Sequence, residues 1–169
     1  MGFSVYGDSH HFGPELQFGH RLGDNLSAPV LLIKTAWGGK SLHTDFRPPS
    51  AGPYVLSEWQ KQNYPKQEGH GIPKDFEKWK ADKIKETGVY YRLMIEHVNR
   101  VLADPKRVCP AYDPAAGYQI AGFVWLQGWN DMVDHDVYPE VPKNSQEPRF
   151  AKYSESMAAF IRDVRKDLG

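Results

Sequence analysis

An α/β domain built on a parallel sheet is the fold that this sequence predicts, and three observations predict it. Two short apolar, β-prone runs, residues 28–36 (APVLLIKTA) and 118–126 (YQIAGFVWL), each end in a glycine-bearing polar cluster. Helix-periodic segments flank them, so the order reads helix, strand, excursion, helix, strand, helix. The first run lacks clean alternation, which suits a strand buried on both faces of a parallel sheet.

Each element has its own justification. Residues 1–12 are short, mixed and rich in Gly and His, and read as a surface entry segment. A helix over 14–22 opens on Gly13-Pro14, with Pro in the first turn and Glu15 near the positive end of the dipole. Its apolar face is Phe12, Leu16, Phe18 and Leu22, and Gly23 with Asn25 supplies the stop. Residues 46–73 change to Pro, Gly, Gln, Lys and aromatics without a sustained period, and read as a long surface excursion, a lid or a mobile insertion. A short helix follows at 75–86, whose Lys and Glu form a solvated face. A stronger one at 89–103 aligns Val89, Leu93, Met94, Val98, Val101 and Leu102, and Asp104-Pro105 ends it. Beyond the second strand, 132–148 is a polar, proline-bearing loop. The last helix, 150–168, sets Tyr153, Met157, Phe160, Ile161, Val164 and Leu168 on one stripe, with Arg162, Arg165 and Lys166 toward its negative end.

Composition narrows the classes of function. A chain of 169 residues supports one domain with a real core. Lys plus Arg and Asp plus Glu balance at 21 each, which leaves no strong field for nucleic acid, an anionic membrane surface or a polyanionic substrate. Neutral or weakly charged ligands fit better. The single Cys109 excludes an internal disulfide framework and a cysteine-rich zinc site. No long apolar run and no N-terminal leader pattern is present, so the chain as written reads as soluble and without an export signal.

The chemistry concentrates where the two runs end. The first ends in WGGKS, where paired glycines mean tight backbone geometry or an N–H aimed at a ligand. A phosphate-binding GxxxxGK[ST] loop is excluded, because Lys34 stands where the first Gly is required. The second ends in QGWND. Two parallel strands would bring WGGKS and QGWND to one sheet edge, the usual place for a ligand crevice in open α/β sheets. Acyl transfer needs donors preorganised toward the oxygen that becomes negative, and the Gly39 N–H with the Asn130 amide would meet that need.

GWND matches the GxND signature of SGNH-type hydrolases. The ordered set FGPELQFG, IKTAWGGKSL and GFVWLQGWND resembles the sialate O-acetylesterase-like carbohydrate esterases over roughly residues 11–45 and 118–168. The resemblance implies a three-layer α/β/α sandwich of SGNH-hydrolase or flavodoxin-like type. It also implies an oxyanion hole from Gly39 and Asn130; Gln127, Trp129 and Asp131, at the same strand end, are the candidate substrate contacts. The implied substrate is an acetylated carbohydrate, with no metal or organic cofactor and an exported setting. Many of these esterases have QGE where this chain has QGW, so Trp129 replaces an acidic residue and any role of that carboxylate is lost.

A larger departure is that the GQSN-like nucleophile block and the DxxH histidine block of the family have no counterpart here. The expectation is therefore a fragment of an esterase domain, inactive or nearly so by itself. An alternative makes Gly7-Asp8-Ser9 the nucleophile block, but the strand that should precede it is reduced to Phe3-Ser4-Val5-Tyr6. A second alternative is a non-catalytic carbohydrate-binding or interaction module on an esterase scaffold.

Plainer readings stand beside these. Asn130 and Asp131 are common turn and cap residues, Gly38-Gly39 could be only a strand-to-helix turn, and Gln127 could hold the loop through backbone hydrogen bonds. His10-His11, His43 with Asp45, and Asp134-His135-Asp136 match no tight metal spacing, and no metal is expected. Trp37, Trp125 and Trp129 flank the proposed crevice and could stack on a sugar, although Trp125 reads as core, and at least one of Tyr90 and Tyr91 should be packing.

Overall fold

The computed structural model of the chain describes residues 13–66 and 72–169; Ser9 with its Gly-Asp-Ser motif, His10-His11 and Phe12 lie outside the described residues. Six α-helices appear among the described residues. They are α1 (Glu15–Asn25), α2 (Glu58–Asn63), α3 (Phe76–Glu86), α4 (Val89–Ala103), α5 (Trp129–Met132) and α6 (Ala151–Leu168). Short 3-10 turns at Pro49–Ala51, Tyr64–Lys66 and Pro105–Arg107 punctuate the connections.

The helices read from periodicity form at α3, α4 and α6 within one residue of the expected bounds. Asp75 caps α3 by accepting the Lys78 N–H at 2.9 Å. Gly23 does not stop α1, which continues until Leu26 turns extended and returns its N–H to the Leu22 carbonyl at 2.9 Å. A glycine in a helix costs only about 1 kcal/mol, less than the following turn returns in hydrogen bonds.

The parallel sheet, and with it the α/β/α sandwich, is not formed. Among the described residues no strand exists, and the runs 28–36 and 118–126 carry no ladder hydrogen bonds. The second run leaves Val124 at 64% and Leu126 at 78% exposure. The physical reason is that a strand is a paired object. β-Prone side chains favour a pleated surface only when a neighbouring strand takes up the backbone groups and a second layer covers the face. Here the two runs fall in different compact units, since the chain divides into Met1–Gly38 with Glu96–Tyr118, and Gly39–Ile95 with Gln119–Gly169.

In the first unit, the run after α1 lies along that helix. A Cβ at Gly19 would come within 3.2 Å of Leu32, and the Lys34 ammonium pairs with the Glu15 carboxylate. In the second unit the core forms around Leu42, Phe46, Tyr91, Met94, Tyr138, Phe160 and Val164. Trp125, half-buried, packs against this core, 4.4 Å from the Phe160 ring and 5.0 Å from Phe46 between centroids. Tyr91 is buried, edge-on to Phe160, with its hydroxyl donating to Asp167 at 2.8 Å.

The expected surface excursion is the second departure. Phe46, Arg47, Tyr54, Ser57, Gln60 and Tyr64 within it are all buried. Ser57 and Gln60 form a reciprocal capping box at α2. Its aromatics pack by edge-to-face contacts, with Tyr64 4.8 Å and Tyr54 5.8 Å from Trp79 of α3. Aromatic pairing of this kind has no sequence period, which is why the segment reads as loop from sequence while it packs as core.

Candidate functional site

The loop after Gly38 begins with Gly39 at φ 70°, a conformation that side chains with a Cβ rarely adopt. From there the chain coils through a series of turns to Phe46. Asp45 closes the first of them, its carboxylate accepting the Ser41 N–H at 2.9 Å and the Ser41 hydroxyl at 3.2 Å. The Lys40 ammonium lies 3.4 Å from the same carboxylate and 4.2 Å from the Tyr90 ring centroid. The loop's carbonyls in turn take up orphan donors at the start of α4, where Gly88 N–H reaches Thr44 O at 2.8 Å and Tyr90 N–H reaches Asp45 O at 3.0 Å.

Asp131 joins this loop to the QGWND segment. Its carboxylate accepts the N–H groups of Leu42 at 2.7 Å and His43 at 2.9 Å, residues 89 and 88 positions away. It also accepts the Gln127 amide at 2.6 Å and the Tyr138 hydroxyl at 3.3 Å. At 1% exposure the carboxylate is buried with four donors around it, which is how a charge is tolerated away from water. Gln127 adds a bond to the Lys40 carbonyl at 3.0 Å and is gripped from behind by the Tyr153 hydroxyl, 3.1 Å from its backbone oxygen.

The outcome is a cavity of about 270 Å³ whose lining includes both Gly39 and Asn130. Asn130, half-buried in the short helix α5, has no hydrogen bond to its side chain among the described residues. The two expected oxyanion donors are thus brought to one cavity. The remaining wall comes from Ser41, Thr44, Asp45, Asp134 and Asp136, with Tyr54, Tyr64, Gln60, Trp79 and Lys83 from the segment once read as an excursion and from α3. Asp131 and Gln127 stand behind this wall and hold it. Trp129 is 71% exposed, Trp37 belongs to the first unit, and neither lines the cavity.

The charges facing the cavity affect one another. Burial raises the Asp134 carboxyl above its ordinary range, and the neighbouring Asp136 and Asp131 charges add to this. Burial likewise pushes the Tyr54 phenol up to about 12, with Asp134 and Asp136 contributing, even though Gln60 opposes the shift by hydrogen bonding. Tyr64 is raised by burial and by donating to Asp136 at 2.6 Å. His43 is buried at 4% exposure, edge-on to Tyr54 at 4.8 Å, and burial with the nearby Arg47 charge depresses its pKa to about 4. It is a neutral packing histidine near pH 7.

Sequence reasoning did not anticipate the aromatic wall or the part played by Asp134 and Asp136 in it. The available signal is the Asp134-x-Asp136 spacing after QGWND, in a stretch that reads from sequence as a polar loop. Among the described residues no group of three His, Cys, Asp or Glu is placed to hold a metal ion, and no helix is long and apolar enough to cross a membrane. The chain matches no protein-family model, and no curated protein and no solved structure is similar to it at a significant level.

Proposed function

We propose that this chain carries the oxyanion-binding part of a carbohydrate O-acetylesterase site of the sialate O-acetylesterase type, and binds an acetylated sugar. One observation carries the reading: Gly39 and Asn130, far apart in sequence, line the same cavity, and the Asn130 amide has no hydrogen-bond partner among the described residues. In the reaction a serine attacks the acetyl carbonyl, a histidine moves the proton, and the Gly39 N–H with the Asn130 amide holds the developing oxyanion. Ser41 lines the cavity, but its hydroxyl is engaged with Asp45 and accepts the Thr44 N–H at 3.2 Å, and no histidine is in the lining. Nucleophile and base therefore have no assignment among the described residues, and acetyl release by this chain is expected to be slight.

That same lining favours one alternative, carbohydrate binding without catalysis, in which the Trp79 and tyrosine wall supplies the sugar contact. Saturation-transfer NMR on the full chain with a mono-acetylated methyl glycoside tests the leading reading. Transfer to the acetyl methyl group is expected, together with its loss in Asn130→Ala. Transfer confined to ring protons and indifferent to Asn130→Ala would favour the binding module, and no transfer at all would overturn both. Rapid acetyl release from a chromogenic acetate ester, abolished by Ser9→Ala, would instead assign a complete site.

A further inference from the structure

The cavity that Gly39 and Asn130 share is unbalanced in charge. Among the described residues Asp45, Asp134 and Asp136 line it, against one cation, Lys83. Lys83 is itself paired with Glu86 at 2.9 Å, and Lys40 offsets only Asp45. Among the described residues no salt bridge reaches Asp134 or Asp136.

Sites that bind a sugar carboxylate supply a guanidinium, because its fork of N–H donors matches the two oxygens. No arginine is among the described lining residues, and Arg47, beside the buried His43, is already committed: it donates to the carbonyls of Gly52 at 2.8 Å, Ala51 at 2.9 Å and His43 at 3.2 Å. What the wall does offer suits hydroxyl groups. Asp134 and Asp136 each hold one oxygen in a hydrogen bond, to the Val137 N–H and the Tyr64 hydroxyl, and their carboxylates keep acceptor capacity for sugar O–H donors, while Trp79 adds aromatic surface to the lining.

We infer that the cavity selects an acetylated sugar without a carboxylate, and discriminates against acidic sugars of the sialate kind. This rests on the acetyl-sugar reading above and narrows it: the acetyl group is addressed by Gly39 and Asn130, while the sign of charge on the rest of the ligand is set by Asp134 and Asp136. An anionic ring brought into this cavity meets like charge in a partly desolvated space, where screening is weaker than in bulk water.

The test changes the ligand before it changes the protein. Calorimetric or NMR titration of the full chain compares 9-O-acetyl-N-acetylneuraminic acid with its methyl ester, which differs only in the carboxylate charge, and with a neutral 6-O-acetyl methyl hexoside. At low ionic strength the methyl ester and the hexoside are expected to bind at least ~tenfold more tightly than the free acid, the gap shrinking in ~0.5 M salt as screening takes over. In a folded Asp134→Asn/Asp136→Asn double variant the acid is expected to gain on its ester. Equal or tighter binding of the free acid overturns the inference while leaving the acetyl-sugar reading intact. Binding of none of the three overturns both.

Discussion

Two regions of the second unit invert the usual relation between hydrophobicity and burial. Residues 39–47 hold a glycine, a lysine, a serine, a histidine, a threonine, an aspartate and an arginine, yet Leu42, His43, Thr44, Phe46 and Arg47 are buried. Residues 119–126 are nearly all apolar, yet Ile120, Phe123, Val124 and Leu126 are exposed. The difference lies in what receives the backbone. The loop has partners for its polar groups in Asp131, Asp45, Gln127 and the first turn of α4, so it can leave water without orphaned donors. Among the described residues the apolar run has no strand beside it, and Trp125 and Phe123 alone find an aromatic neighbour on α6. Burial here follows satisfied hydrogen bonding as much as it follows apolar content.

The most direct way to break that contrast is Asp131→Ala. It strands the Leu42 and His43 N–H groups, the Gln127 amide and the Tyr138 hydroxyl. With each buried unpaired donor costing about 1–3 kcal/mol, and some of them rehydrated, the expected loss is about 4 kcal/mol in urea denaturation. A loss under about 1 kcal/mol would mean that the loop is held by packing alone.

Acid should loosen the same loop through His43. Its imidazole takes a proton near 6.5 when unfolded and only near 4 when folded, so the folded state has its full advantage above about pH 6.5 and loses it as pH falls toward 4. The loss from this one group is about 3 kcal/mol, spread over that window. Asp134 works in the opposite sense in the carboxylate range, because its folded pKa is raised and its protonation favours the folded state. Comparing the pH dependence of unfolding in the parent chain and in His43→Gln isolates the histidine. A parent profile no steeper than that of the variant between pH 6.5 and 4 would show that His43 is not buried as described.

The smallest effect belongs to the apolar run. Leu126→Ser removes a side chain that is already in water, and the expected change is within about 0.5 kcal/mol, with gain in solubility. A loss of 2 kcal/mol or more in the same urea titration would place Leu126 in a packed layer and restore the case for a strand.

Much of this was legible in the residues taken alone. The 3.6-residue spacing of α4 and α6 is a local property, decided within a few turns, and it fixed those helices nearly to the residue. The glycine requirement at position 39 and the donor chemistry of Asn130 are likewise local. The sheet was misread because pairing is not local: 28–36 and 118–126 have β-prone composition, and no sequence pattern states whether a partner strand lies alongside. The aromatic wall was missed for a related reason, since Tyr54, Tyr64 and Trp79 meet edge to face across three segments without a common period.

The sequence by itself determined the helices α1, α3, α4 and α6, the turn at Gly39 and the chemical types gathered in WGGKS and QGWND, but neither α2 nor α5. Only the tertiary structure decided that these two clusters share a cavity, and it did so without a sheet. A single buried carboxylate, Asp131, gathers donors from Leu42, His43, Gln127 and Tyr138 and so sets Gly39 and Asn130 around one space. The physical reason is that an ionised group leaves water only when donors replace its hydration, and these donors come from three separate stretches of chain.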